Sequence, residues 1–176
     1  MFFEILIPAL FFFLSTYVGF LVAISLHEFG HVFAALTLGY EVDVINLGVQ
    51  SWPTLEISFK RRLEKICISP YPFAGDMGLK QNKRTMTSFQ RFVFLTAGPL
   101  SNILIAIILF LFFAKKPTLP PIRFWDCMLY SVLFLNLFIG LFNLTPLPLK
   151  DGADGNLAWE VITGKYAKRI ALKSRS

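Results

Sequence analysis

Residues 25–34 read SLHEFGHVFA, inside an apolar run that extends from about Ile5 to Leu38. Both histidines of the 176-residue chain, His27 and His31, fall within these ten positions, with Glu28 beside the first. About 20 helical residues cross the hydrocarbon core of a bilayer. The run is longer than that, so it is a membrane helix that tilts, bends or extends beyond the lipid. Three ionisable groups inside such a helix are costly, and intramembrane groups of this kind usually serve a function.

The rest of the chain fits a membrane protein. It is 55% hydrophobic, holds 20 Phe, and only 16% of its residues are charged. Mean hydropathy is +0.61. Two further apolar stretches follow, at about 89–114 and 124–147, each long enough to span. The start, MFFEILIPALFFFL, lacks the positive n-region of a signal peptide, so it reads as a retained span. Thr87 and Gln90 fit an N-terminal capping box for the second span. Gly98-Pro99 inside that span should kink it or expose backbone. Pro146 and Pro148 rule out regular helix at the end of the third. The expected architecture is a mainly α membrane protein: one domain over 1–176, about three transmembrane helices, and a small membrane-associated β-hairpin or sheet between helices 1 and 2.

Charge sets the orientation. Lysines and arginines collect in the loop at about 40–80 and just after it, and in the tail at 150–176. The positive-inside rule places both in the cytosol and the N-terminus outside. The net charge of +6 is accounted for in this way, and no stacking aromatics interleave the basic residues as nucleic-acid binding would require. Within the loop, TLEISFK and LEKICIS alternate apolar and polar residues around Lys60-Arg61-Arg62, which predicts a hairpin. VDVINLGV supplies a further strand, and its apolar residues with Trp52 suit the membrane interface. The tail carries Leu157, Trp159, Val161 and Ile162 among basic residues, a pattern compatible with an interfacial helix. Cys67 and Cys127 match no zinc or redox spacing and are expected to remain unpaired.

His27-Glu28-Phe29-Gly30-His31 is an HExxH sequence. Residues four apart share one helix face, so two imidazoles can hold one metal ion from adjacent turns. Zinc suits nitrogen and oxygen ligands in a four-coordinate shell with one position left open. Glu28 is placed to take a proton from water that the metal activates, the chemistry of peptide hydrolysis. A catalytic zinc wants a third protein ligand. With no third histidine, that ligand must be a carboxylate: Asp43, Glu56, Glu64, Asp76, Asp126, Asp151, Asp154 or Glu160. His27 lies ~16 Å of helix before the inner end of span one. Two further crossings return the chain to the same level, so the inner end of span three is favoured and Asp126 is on the wrong side. Asp151, just beyond the proline break, is the best placed, with Asp154 its rival by spacing.

These features resemble the site-2 protease family of intramembrane zinc metalloproteases. HEFGH at 27–31 is similar to its zinc motif. AGPLSN at 97–102 resembles its GPxxN-type element. FNLTPLPLKDG at 142–152 resembles its N-x-x-P-x-P-x-L-D-G element, in which the aspartate eight residues after the asparagine completes the zinc site. Counted from Asn143, that is Asp151. The chain departs from the pattern by placing Lys150 before this aspartate and GADG after it, which keeps Asp154 open. The resemblance implies Zn²⁺ held by His27, His31 and Asp151, Glu28 as general base, and Asn102 and Asn143 near the site as substrate-binding or oxyanion groups.

The resemblance further implies an endopeptidase that cuts transmembrane segments of membrane proteins near the cytosolic side. The expected partners are a transmembrane protein substrate and the lipid bilayer, and the expected location is a bacterial inner membrane. An extended substrate would pair with an edge strand of the first-loop sheet, for which PFAGDMGL at 72–79 is the candidate. Two other classes fit less well. A metal-holding scaffold without catalysis has no need of Glu28. A proton-relay transporter usually shows internal repeats, and none is present here.

Overall fold

The computed structural model describes residues 2–49, 54–80, 85–114, 124–146 and 154–165. Helix α1 is Phe2–Thr37; a four-stranded sheet follows, with β1 Val42–Leu47, β2 Leu55–Ser58, β3 Leu63–Ile68 and β4 Gly75–Leu79. Helices α2 (Ser88–Ala114), α3 (Phe124–Leu144) and α4 (Asp154–Ile162) complete the order. Three of the helices are long and apolar enough to cross a membrane, over Leu6–Thr37, Ser88–Phe113 and Asp126–Leu144. The predicted spans therefore hold, with the third ending at Leu144, ahead of the prolines, instead of at 147.

Side chains on the outer faces of these helices stay exposed, among them Phe12, Phe13, Leu104, Phe110 and Phe134. Lipid is the solvent those faces suit, so packing between the helices relies on close backbone approach instead of apolar burial. A Cβ on Gly30 would meet the Ala97 carbonyl at 2.6 Å, so α1 and α2 touch there only because the side chain is missing. The helix ends follow local rules. Gly39, at φ 84°, closes α1. Its N–H donates to Leu36 and that of Tyr40 to Ala35, the two bonds of a Schellman cap. At the start of α2, the Gln90 N–H donates to Thr87 Oγ1 and the Thr87 N–H to Gln90 Oε1, a reciprocal capping box as the sequence predicts. Helix α2 runs on through Gly98-Pro99.

The sheet order is β2-β3-β1-β4. β1 and β3 are parallel, while β2–β3 and β1–β4 are antiparallel. The predicted hairpin is β2–β3, and the glycine-rich stretch forms β4, one edge of the sheet. The sheet folds back along α1. Its core is the cluster of Val32, Ala35, Tyr40, Val42 and Ile45. At its far end the Tyr17 hydroxyl donates to the Pro70 carbonyl at 2.8 Å, and Phe20 meets Phe73 edge-on. Tyr17 precedes Thr37 by about 30 Å of helix, so the β3–β4 turn reaches well down the first span. This return brings β4 alongside the histidines. Cys67 and Cys127 are both free.

Candidate metal centre

The heptapeptide from Leu26 to Val32 presents His27, Glu28 and His31 toward α2 and β4, and all three are buried. His27 Nε2 and His31 Nε2 lie 3.2 Å apart. Asp154, the first residue of α4, brings Oδ2 to 2.9 Å from His27 Nε2 and 3.2 Å from His31 Nε2. Zinc–nitrogen bonds of 2.0–2.1 Å in a tetrahedral shell place neighbouring ligand atoms ~3.3 Å apart. Two of the separations here, at 3.2 Å, match those edges, and the third, at 2.9 Å, is shorter. Two imidazoles and a carboxylate are also a donor set that zinc accepts. The residues fit the metal that the sequence implies.

The neighbours of His31 prepare it for that role. Its Nδ1–H donates to the Phe94 carbonyl at 2.8 Å, which leaves the lone pair on Nε2 facing the other two ligand atoms. α2 comes this close because position 98 is glycine: a Cβ there would overlap the His31 ring. Ser101 joins the same two helices, with its Oγ 2.8 Å from the Leu26 carbonyl and 2.7 Å from the Gly98 carbonyl. Sequence reading passed over Ser101; its place beside Asn102, on the turn after Gly98-Pro99, was the available signal.

Asp154 is held by its helix. Gly155 is buried, and a Cβ on it would strike the Leu144 and Asn143 carbonyls, so α4 can dock against the end of α3 only with glycine there. Asp151 lies outside the described residues. Of the two aspartates that spacing left open, Asp154 is therefore the one seen against the histidines.

A cavity of 640 Å³ opens onto the site. Its wall includes His27, Glu28, His31, Asp154, Asn143 and the β4 segment from Ala74 to Met77. Glu28 faces β4 directly, and a Cβ on Gly75 would come within 2.6 Å of Glu28 Oε1. Asn143 is thus part of the cavity wall. Asn102 does not line this cavity; it is fully buried, with Oδ1 3.4 Å from Ser101 Oγ and its Cβ beside Gly140 of α3. Glu56 pairs with Lys65, while Glu41 and Glu64 pair with Lys80. Among the described residues, the one group of metal-binding side chains is His27, His31 and Asp154.

The sequence profile of Peptidase family M50 matches residues 15–118, and the chain belongs to that family. Membership brings the fold of an intramembrane metalloprotease, and with the three apolar helices it marks an integral membrane protein. The matched stretch carries His27, Glu28 and His31 and the Gly98–Asn102 turn, but ends before Asp154. The comparison with curated proteins finds no match.

Proposed function

We propose that this protein is a zinc-dependent endopeptidase that cleaves transmembrane segments of other membrane proteins. The observation that carries this reading is the triangle of His27 Nε2, His31 Nε2 and Asp154 Oδ2 in one cavity with Glu28. Metal retention alone has no use for Glu28 at that wall, whereas hydrolysis needs a base there.

His27, His31 and Asp154 would hold the metal. When bound, zinc supplies Lewis acidity that polarises a carbonyl and makes water a nucleophile at neutral pH. The chain's own residues do the rest. Glu28 accepts the proton of the attacking water and returns it to the leaving amine. Asn143 offers an amide to the oxygen on which charge develops. Phe20, Ile24 and Phe142, which also line the cavity, suit the apolar side chains of a membrane segment. A helical substrate hides its peptide bonds in its own hydrogen bonds and must unwind to be cut. Among the described residues β4 pairs with β1 alone, and its outer side would receive an extended segment by strand addition. With the basic loop inside, the N-terminus outside and the site toward the inner face, cleavage would fall near the cytosolic side, as in a bacterial inner membrane.

The test is purified full-length protein in lipid nanodiscs with a fluorogenic membrane-segment substrate. Cleavage that a chelator stops and added zinc restores supports the reading. Stoichiometric zinc without turnover on any membrane segment would replace it with a metal-binding scaffold of the same fold.

A further inference from the structure

The sheet has one apolar face, and α1 covers only part of it. Registry places Met77, Ile45, Ile66 and Ile57 in one cross-strand row, and Gly75, Leu47, Ile68 and Leu55 in the next. At the β4 end this face lies against Ile24 and Glu28 of α1. Ile45, in the middle, is 0% exposed, but Ile57 is 40% and Leu55 63% exposed. Phe59 continues the alternation of β2 and is 44% exposed. The uncovered end is thus a continuation of the buried core surface, carried by the strand farthest across the sheet from the β4 end that α1 covers. The opposite face carries Glu56, Ser58 and Lys65, with Glu56 and Lys65 paired at 3.3 Å.

The hairpin tip is cationic. Lys60, Arg61 and Arg62 are consecutive and exposed. The Arg62 carbonyl accepts from the Val42 N–H at 2.8 Å, which fixes the tip beside the start of β1, just past the end of α1. Along β2 the apolar side chains are therefore followed by three cations at the tip, the order that a lipid boundary presents. The polar face of β2, and an outer edge that no described strand pairs, disfavour the hydrocarbon centre, where unmet backbone groups are too costly.

We propose that the β2–β3 hairpin is a docking surface for anionic phospholipid. Leu55, Ile57 and Phe59 enter the boundary between headgroups and acyl chains, and Lys60, Arg61 and Arg62 bind headgroup phosphates. Charge complementarity and continuity with the buried face favour lipid over a second copy of the chain, which would set the same three cations against one another. The docked hairpin holds the sheet at fixed depth and with it β4 at the cavity wall.

The test uses full-length protein in nanodiscs of phosphatidylcholine with or without phosphatidylglycerol. Single cysteines at positions 55 to 59, in a Cys67→Ala, Cys127→Ala background, carry an environment-sensitive fluorophore. Positions 55, 57 and 59 should report an apolar setting and be quenched by doxyl-labelled lipid, while 56 and 58 should report water. Quenching by labelled phosphatidylglycerol should exceed that by labelled phosphatidylcholine. Changing Lys60, Arg61 and Arg62 to glutamine should reduce the preference about fivefold per charge (~1 kcal/mol each). Hydrogen exchange on the cysteine-intact protein should show β2 amides more protected with phosphatidylglycerol present. Water-like signals at 55, 57 and 59, no preference between the lipids, or disulfide capture between copies through position 57 would each overturn the proposal.

Discussion

The Nδ1–H of His31 donates to the carbonyl of Phe94, 63 residues further along the chain, at 2.8 Å. One backbone oxygen on α2 thereby decides which nitrogen of an α1 histidine is a donor and which keeps its lone pair toward His27 and Asp154. Nitrogen-15 spectra should show a protonated Nδ1 on His31 both before and after zinc is added. Only the Nε2 resonance should move on loading. A protonated Nε2 in the loaded protein would contradict this arrangement.

Glu28→Gln separates holding the metal from using it. The amide is close in shape to the carboxylate but cannot accept the proton. Zinc content by mass spectrometry should stay stoichiometric, while cleavage of a membrane substrate should fall about 10²–10⁴-fold, the usual worth of a general base. A variant that cleaves at the parent rate would remove Glu28 from this role.

Asp154→Asn should lower zinc affinity by more than ~100-fold, beyond what loss of an outer partner costs. Asp151→Asn should leave affinity within a few-fold of the parent. Competition with a chromogenic chelator measures both. The opposite ranking would return the third ligand to Asp151.

The choice between these two aspartates shows where sequence reading stops. KDGADG holds two Asp-Gly pairs three residues apart, and the count from Asn143 selects the first. What places the second against the histidines is tertiary: α4 begins at Asp154, and Gly155 fits under the carbonyls of Asn143 and Leu144. No local propensity reports that contact. The spans were legible because length and hydropathy alone define them. The capping box of α2 and the β2–β3 hairpin were legible because both are local patterns. β4 was visible only as a glycine-rich candidate edge, since Gly75 is there to admit Glu28 and a glycine run carries no strand signal. Asn102 entered through the family resemblance, and its burial beside Gly140 reflects helix packing that no spacing rule gives.

Gly98→Ala should disturb the site without touching a ligand. The added methyl has no space beside the His31 ring, so α2 must shift or the ring must turn. Overpacking of this kind costs about 1–3 kcal/mol. Thermal unfolding in detergent should show a lower Tm, and zinc affinity should fall together with it. Unchanged values for both would mean that the helices separate freely at this level.

Tyr17→Phe removes the bond from the Tyr17 hydroxyl to the Pro70 carbonyl and leaves the ring. Side-chain bonds in membrane proteins average about 0.6 kcal/mol, so global stability should change little. Hydrogen exchange in the β3–β4 turn should rise selectively, while the amides of β1 and β3 keep their protection. Equal loss across the whole sheet would show that the turn is not held by this contact.

Asp154 follows His31 by 123 residues and His27 by 127. A ribosome adding 5–20 residues per second needs on the order of ten seconds to cover that distance. Throughout that interval the nascent chain has its two histidines and its glutamate in the bilayer without the carboxylate that joins them. Under the proposed function, hydrolytic competence is postponed until the chain has grown past Asp154. A copy still entering the bilayer, among other half-made membrane proteins, thus lacks one corner of the triangle on which the proposed activity rests.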